Sequence, residues 1–122
     1  MWQVDYYTKP NGHKPAKDWI DNQDNSIKPS IDARIEKLRR EGSLLPDSML
    51  VPITRRRKRE KFIPGFYELK YGGKKWRIAI YYDLKRNRFI LLCGWRKSQD
   101  IQEWDIARAR TLLYEYLSTE GG

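Results

Sequence analysis

Two of the residue types most used for metal binding and proton transfer are nearly missing from this 122-residue chain: it has one cysteine, Cys93, and one histidine, His13. A lone cysteine excludes a disulfide or a cysteine-based zinc site within one chain. Cys93 lies in an apolar run, where a small buried hydrophobe suited to a reducing compartment is expected. His13 stands in a turn-rich segment with no second histidine or cysteine near it, which reads as an exposed loop residue. No metal and no cofactor is expected. Also missing is an apolar stretch of about 20 residues, the length a membrane span requires. The N-terminus lacks the basic region and apolar run of a signal peptide, so the expectation is a cytoplasmic protein without a membrane partner. The length suits a single domain over residues 1–122.

Acid is scarce in one place in particular. Lys and Arg total 25 against 16 Asp and Glu, but 15 of the bases lie between Arg55 and Lys97 with only Glu60, Glu68 and Asp83 among them. That window carries +12, and the rest of the chain, with 10 bases and 13 acids, carries −3. Charge of one sign gathered in the middle third is the footprint of a surface that meets a polyanion.

Trp2, Val4 and Tyr6 alternate with Gln3, Asp5 and Tyr7, the period of a half-buried strand. Pro15 fits the first turn of a short helix with Ala16, Trp19 and Ile20 inward. A second helix is expected from a Ser26 cap, through Ile27, Ile31, Ile35 and Leu38 on one face, to Gly42. Its other face, with Lys28, Asp32, Arg34, Lys37 and Arg39, reads as solvated. The connector from Ser43 to Pro64 holds the run Arg55, Arg56, Arg57, Lys58, Arg59 and Lys61. Such a run reads either as an arm gripping nucleic-acid backbone or as a solvated loop.

The stretch Gly65–Gln99 carries the functional argument. Gly72-Gly73 suits a two-residue hairpin turn, which sets Lys70 opposite Lys75, Leu69 opposite Trp76 and Glu68 opposite Arg77. Alternation then sorts Tyr67, Leu69, Tyr71, Trp76, Ile78 and Ile80 onto a core face. Glu68, Lys70, Lys75, Arg77, Ala79 and Tyr81 fall on the other, a basic shelf. Phe89–Trp95 is apolar on both sides, as a central strand buried by helices would be, and ends at Arg96-Lys97. A last helix is expected over about 99–117, with Ile106, Ala109, Leu113, Tyr116 and Leu117 inward.

The order strand, two helices, basic connector, three-stranded meander and C-terminal helix resembles the RelE/ParE toxin superfamily, and most of all its phage-derived HigB-like branch. The residues that carry the likeness are Tyr67-Glu68-Leu69-Lys70, Trp76-Arg77-Ile78, Tyr81-Tyr82, Gly94-Trp95-Arg96-Lys97-Ser98-Gln99, and Asp105-Ile106 through Ala109. The resemblance implies an α+β fold and a toxin that cleaves mRNA, usually on the ribosome. It also implies a small antitoxin partner, typically of helix-turn-helix type. The positions it matches to the cleaving surface are Lys70, Arg77 and Arg96, with Lys70 standing where the HigB-like pattern has arginine.

Cleavage by the RNA's own 2′-hydroxyl needs a base, stabilisation of negative charge on phosphorus, and an acid for the leaving oxygen. Arg77 and Arg96 are candidates to clamp the nonbridging oxygens. Lys70, beside Lys75, is the candidate for proton transfer. Glu68 is either a base or the ion-pair partner that orients Arg77, and Tyr81 either contacts a base or simply packs. Lys97 adds a further cation at the sheet margin. Two other functions suit the same residues: a ParE-like inhibitor of DNA gyrase, and a basic module that holds nucleic acid without cutting it.

Overall fold

The computed structural model describes residues 1–53, 61–97 and 102–120. The arginine run Arg55–Arg59 and the Ser98-Gln99 end of the last meander motif lie outside them. The elements are β1 (Gln3–Tyr6), α1 (Pro15–Asp21), α2 (Lys28–Glu41), β2 (Leu50–Pro52), β3 (Phe66–Leu69), β4 (Trp76–Asp83), β5 (Arg88–Arg96) and α3 (Glu103–Thr119). The five strands form one sheet in the order β1-β5-β4-β3-β2. All neighbours are antiparallel except β1, which runs parallel to β5.

Helices pack on both faces. On one, α1 and α2 bury Ile20, Ile31, Ile35 and Leu38 against Leu69, Trp76, Ile78, Ile80, Phe89 and Leu91. On the other, α3 buries Ile106, Ala109, Leu112, Leu113 and Tyr116 against Phe66, Ala79, Ile90, Leu92, Cys93 and Trp95. The meander is therefore not core on one side and open shelf on the other: Ala79 is fully buried, and Tyr81 packs edge-on against Tyr116 of α3. Cys93 is a buried hydrophobe, its thiol pushed up to about 12 by burial.

The hairpin register differs from the expected one by two residues. Leu69 lies opposite Ile78 and Glu68 opposite Ala79, and pairing stops there, so the connection spans residues 70–75. The tight turn would have set Lys70 directly against Lys75, and like charges directly opposed are destabilising. Neither Gly72 nor Gly73 adopts the left-handed backbone that turn requires. Because the difference is even, every side chain keeps its assigned face.

Three further expectations change. Ser26 does not cap α2; the Asp24 carboxylate, a stronger acceptor than a hydroxyl, takes the Ser26 backbone N–H at 3.0 Å. Arg34 is not solvated but 5 % exposed, beneath the Tyr71 ring. The connector contains an edge strand, β2, whose Pro52 is tolerated at a sheet margin.

Close packing of α1 on β5 fixes one glycine. A Cβ on Gly94 would lie 2.3 Å from Cε3 of Trp19. Gly94→Ala is expected to cost about 1–3 kcal/mol through overpacking, measurable by urea unfolding with Trp19→Leu as the compensating second change.

At the far end of β4, Asp83 accepts hydrogen bonds from the Tyr116 hydroxyl and from the backbone N–H of Arg86, the latter at 3.1 Å. Burial raises the Asp83 carboxyl, but these bonds and the Arg86 charge outweigh it and hold the group below its ordinary range. Burial, with the bond to Asp83, pushes Tyr116 up to about 12. A phenol raised on folding contributes stability that is complete below the unfolded tyrosine value of about 10 and is lost as pH climbs through the folded value. Denaturant unfolding at alkaline pH should therefore show a shallower loss of stability for Tyr116→Phe than for the parent. The remainder comes from the other groups raised on folding: Tyr7, pushed up to about 12 by burial and its bond to Glu115, the Cys93 thiol, and Tyr6 and Tyr81, raised by burial.

Candidate nucleic-acid interface

The α3 face of the sheet extends further than α3 does. The helix is anchored near its start by Gln102, whose side-chain oxygen accepts the indole N–H of Trp95 at 3.0 Å. Beyond Trp95, the same face carries Glu68, Lys70, Lys75, Arg77 and Lys97. Lys97 is held there by its backbone N–H, which donates to the Lys75 carbonyl at 2.9 Å and carries the β4–β5 pairing past the strand ends. Lys70 is tied in the same way to the Met49 carbonyl next to β2, also at 2.9 Å.

Of these, Lys70, Lys75, Arg77 and Lys97 line one cleft of about 440 Å³ at the hairpin end, together with Ser48, Tyr71, Gly72, Gly73 and Lys74. Lys74 and Lys75 are exposed, while Lys70 and Lys97 are half-buried. Among the described residues, five cationic side chains share this cleft and no carboxylate lines it. An anion entering it meets positive charge from the ends of β3, β4 and β5 and from the hairpin tip between β3 and β4.

Arg77 is the one cation built into the floor. It is 9 % exposed, and its Nε–H donates to Oε1 of Glu68 at 2.9 Å. Nη1 donates to the carbonyls of Trp76 at 2.7 Å and Lys74 at 3.1 Å. A guanidinium has five N–H donors, so these bonds leave the two on Nη2 for the cleft. Glu68, 5 % exposed, thus orients Arg77 as an ion-pair partner. The pair is diagonal across the strands, since Glu68 lies opposite Ala79.

Arg96 is placed elsewhere. It lies opposite Trp76, whose ring faces α2, whereas Arg77 lies opposite Trp95, which faces α3. Directly opposed residues project from the same face, so Arg96 and Arg77 leave opposite faces of the sheet. Arg96 is exposed, and its charge is felt by Asp24 in the α1–α2 connection. Tyr81 sits under α3, away from the cleft. Lys61 is exposed at the start of the segment leading into β3, and its carbonyl accepts a hydrogen bond from Arg110.

Sequence reasoning missed Lys74, Tyr71 and the buried Arg34 beneath it. Lys74 adjoins Lys75 and would have been found by treating the hairpin tip as surface rather than as turn. Arg34 did carry a signal, since three residues after Ile31 and four before Leu38 it lies on the apolar face of α2, but only the fold shows that Tyr71 covers it.

Among the described residues, no cluster of three or more His, Cys, Asp or Glu side chains could hold a metal ion. What the cleft offers chemically is fixed positive charge, N–H donors and lysine amines. Because Glu68 and Arg77 are both nearly buried, removing one partner strands the other's charge. Glu68→Ala should cost about 3–5 kcal/mol in urea unfolding, and Glu68→Ala combined with Arg77→Met should recover much of that loss.

No protein-family model matches the sequence, and no curated protein matches it. Solved structures do. A chain of the intact E. coli RelBE toxin–antitoxin complex superposes with a TM-score of 0.55 at 9 % identity, covering 82 % of this chain and 100 % of that one. The isolated E. coli RelE toxin, in a P21 crystal form, superposes with the same TM-score and identity over 91 % of this chain and 99 % of its own. At this identity the likeness speaks for architecture, and with its five-stranded sheet between two helical layers the chain has the α+β fold of RelE.

Proposed function

We propose that the chain is the toxin of a type II toxin–antitoxin system and acts as an endoribonuclease on mRNA, on the ribosome, in the cytoplasm. The observation that carries this reading is the single cleft in which a sheet of RelE fold gathers Lys70, Lys74, Lys75, Arg77 and Lys97. The E. coli protein of that fold is a toxin, and one of its solved forms is a toxin–antitoxin complex. The sequence resemblance to the HigB-like, phage-derived branch agrees with this reading.

The chemistry requires no bound cofactor. The RNA 2′-oxygen attacks the adjacent phosphorus, a 2′,3′-cyclic phosphate forms, and the 5′-oxygen leaves with a proton. Arg77, through Nη2, and Lys97 meet the nonbridging oxygens, where preorganised charge lowers the barrier most. Lys70, with Lys75 in the same cleft, handles the protons at the attacking and leaving oxygens. Glu68 takes no proton and holds Arg77 in place. Lys97 thus takes the clamping role that the sequence pattern gave to Arg96. The partner that restrains the toxin is an antitoxin whose acidic or helical segment covers the cleft, and the arginine run Arg55–Arg59 with Lys61 supplies affinity for backbone phosphate.

Brief induction followed by mapping of transcript 5′ ends tests the reading. The parent is expected to arrest translation and generate new ends. Lys97→Ala and Arg77→Lys should each lower the cleavage rate by about a hundredfold, and Arg96→Ala should leave it unchanged. Arrest with intact transcripts would overturn the nuclease. Inhibited DNA supercoiling under those conditions would establish the gyrase alternative.

A further inference from the structure

The cleft's one aromatic side chain is placed to do something its cations cannot. Tyr71 lines the cleft beside Lys70 and Lys74 and is 36 % exposed. The guanidinium carbon of Arg34 lies 4.5 Å from its ring centroid. Arg34 comes from α2, is itself 5 % exposed, and is steadied by a hydrogen bond from Nη1 to the Met49 sulfur. Burial lowers the Arg34 guanidinium, and electrostatic interactions with the Tyr71 phenol group and the Glu41 carboxylate offset part of that. One face of the Tyr71 ring is therefore closed by a rigid cation, and its exposed area belongs to the other face and the rim.

From this arrangement we infer that Tyr71 is a stacking platform for an unpaired nucleobase, adjoining the phosphate held by Lys70, Arg77 and Lys97. The inference rests on the nucleic-acid reading of the cleft and adds the residue that meets a base rather than a phosphate. Successive bases and phosphates alternate along a single strand, and a protein that grips one typically pairs cations with an aromatic face. The Arg34 support means that the ring is already ordered before a base arrives, so little side-chain entropy is lost on binding. Stacking accepts any base, so the platform sets where the strand lies and not which sequence is chosen. A duplex cannot use it, because its bases are stacked on one another; the ligand is single-stranded RNA.

The test uses the full chain and a short fluorescently labelled RNA oligoadenylate, with and without one abasic ribose at its centre, its 2′-hydroxyls replaced by 2′-O-methyl groups so that it is not cut. Tyr71→Leu keeps an apolar cover on Arg34 while removing the π face, and Tyr71→Trp keeps the face. Tyr71→Leu is expected to weaken binding of the intact RNA by about tenfold or more, to have little effect on the abasic RNA, and to leave the salt dependence unchanged. Tyr71→Trp should bind at least as well as the parent. Lys97→Ala should weaken both RNAs alike and reduce the salt slope by about 0.7. Equal binding by Tyr71→Leu and the parent, or an equal loss on both RNAs, with Lys97→Ala still weakening binding, would overturn the platform and leave the cleft reading standing. No effect of Lys97→Ala or Arg77→Lys on either RNA would overturn the cleft reading, and the platform with it.

Discussion

Helices on both faces of a sheet leave its charged side chains only the strand ends at which to reach water, and this constraint decides where the protein can present charge. The middle of β4 is spent on packing: Ile78, Ala79 and Ile80 are all fully buried. Cations placed there would each need a partner, since an unpaired buried charge costs several kcal/mol, on the order of the whole stability of a small domain. The basic residues sit instead where α3 stops, at the hairpin end of β3, β4 and β5. Arg77 is the intermediate case, close enough to the core to need Glu68 and close enough to the end to leave one nitrogen free.

Much of this was legible in the sequence, because it depends on period two. The faces of β3 and β4 follow from alternation alone, and they survive the two-residue difference in register because an even slip moves no side chain across the sheet. What alternation cannot see is an extra residue. On β5, Ala79 lies opposite Cys93 but Ile80 lies opposite Leu91, leaving Leu92 as a bulge. Leu92 and Cys93 then both pack toward α3, and the alternation beyond them is reversed. Counted from Ile90 without the bulge, Arg96 would share the cleft with Arg77; with it, Lys97 does. One inserted residue, in a run so uniformly apolar that no periodicity marks it, exchanges which of two adjacent cations lines the cleft.

The second face of the sheet differs from the expected open shelf for a related reason. Glu68, Lys70, Lys75 and Arg77 share a face with Ala79 and Tyr81, and counting charges suggested an open surface. The small Ala79 and the aromatic Tyr81 were the signs of a helix overhead, and the inward face of α3, from Ile106 to Tyr116, was already visible as its source. Placing a helix on a strand's polar face requires asking how far it reaches. Only the position of Gln102 against Trp95 answers that.

Gly72 and Gly73 both lie at the mouth of the cleft. Neither needs glycine for its backbone angle, and a Cβ on either would meet nothing within 4 Å. Alanine at such positions normally stabilises a protein by about 0.4–1 kcal/mol, because the unfolded chain has less freedom to lose. The hairpin tip therefore forgoes stability that the fold would accept. It keeps bare backbone at the mouth of the cleft, where bulk would narrow the approach, and so thermostability and access oppose each other at these two residues.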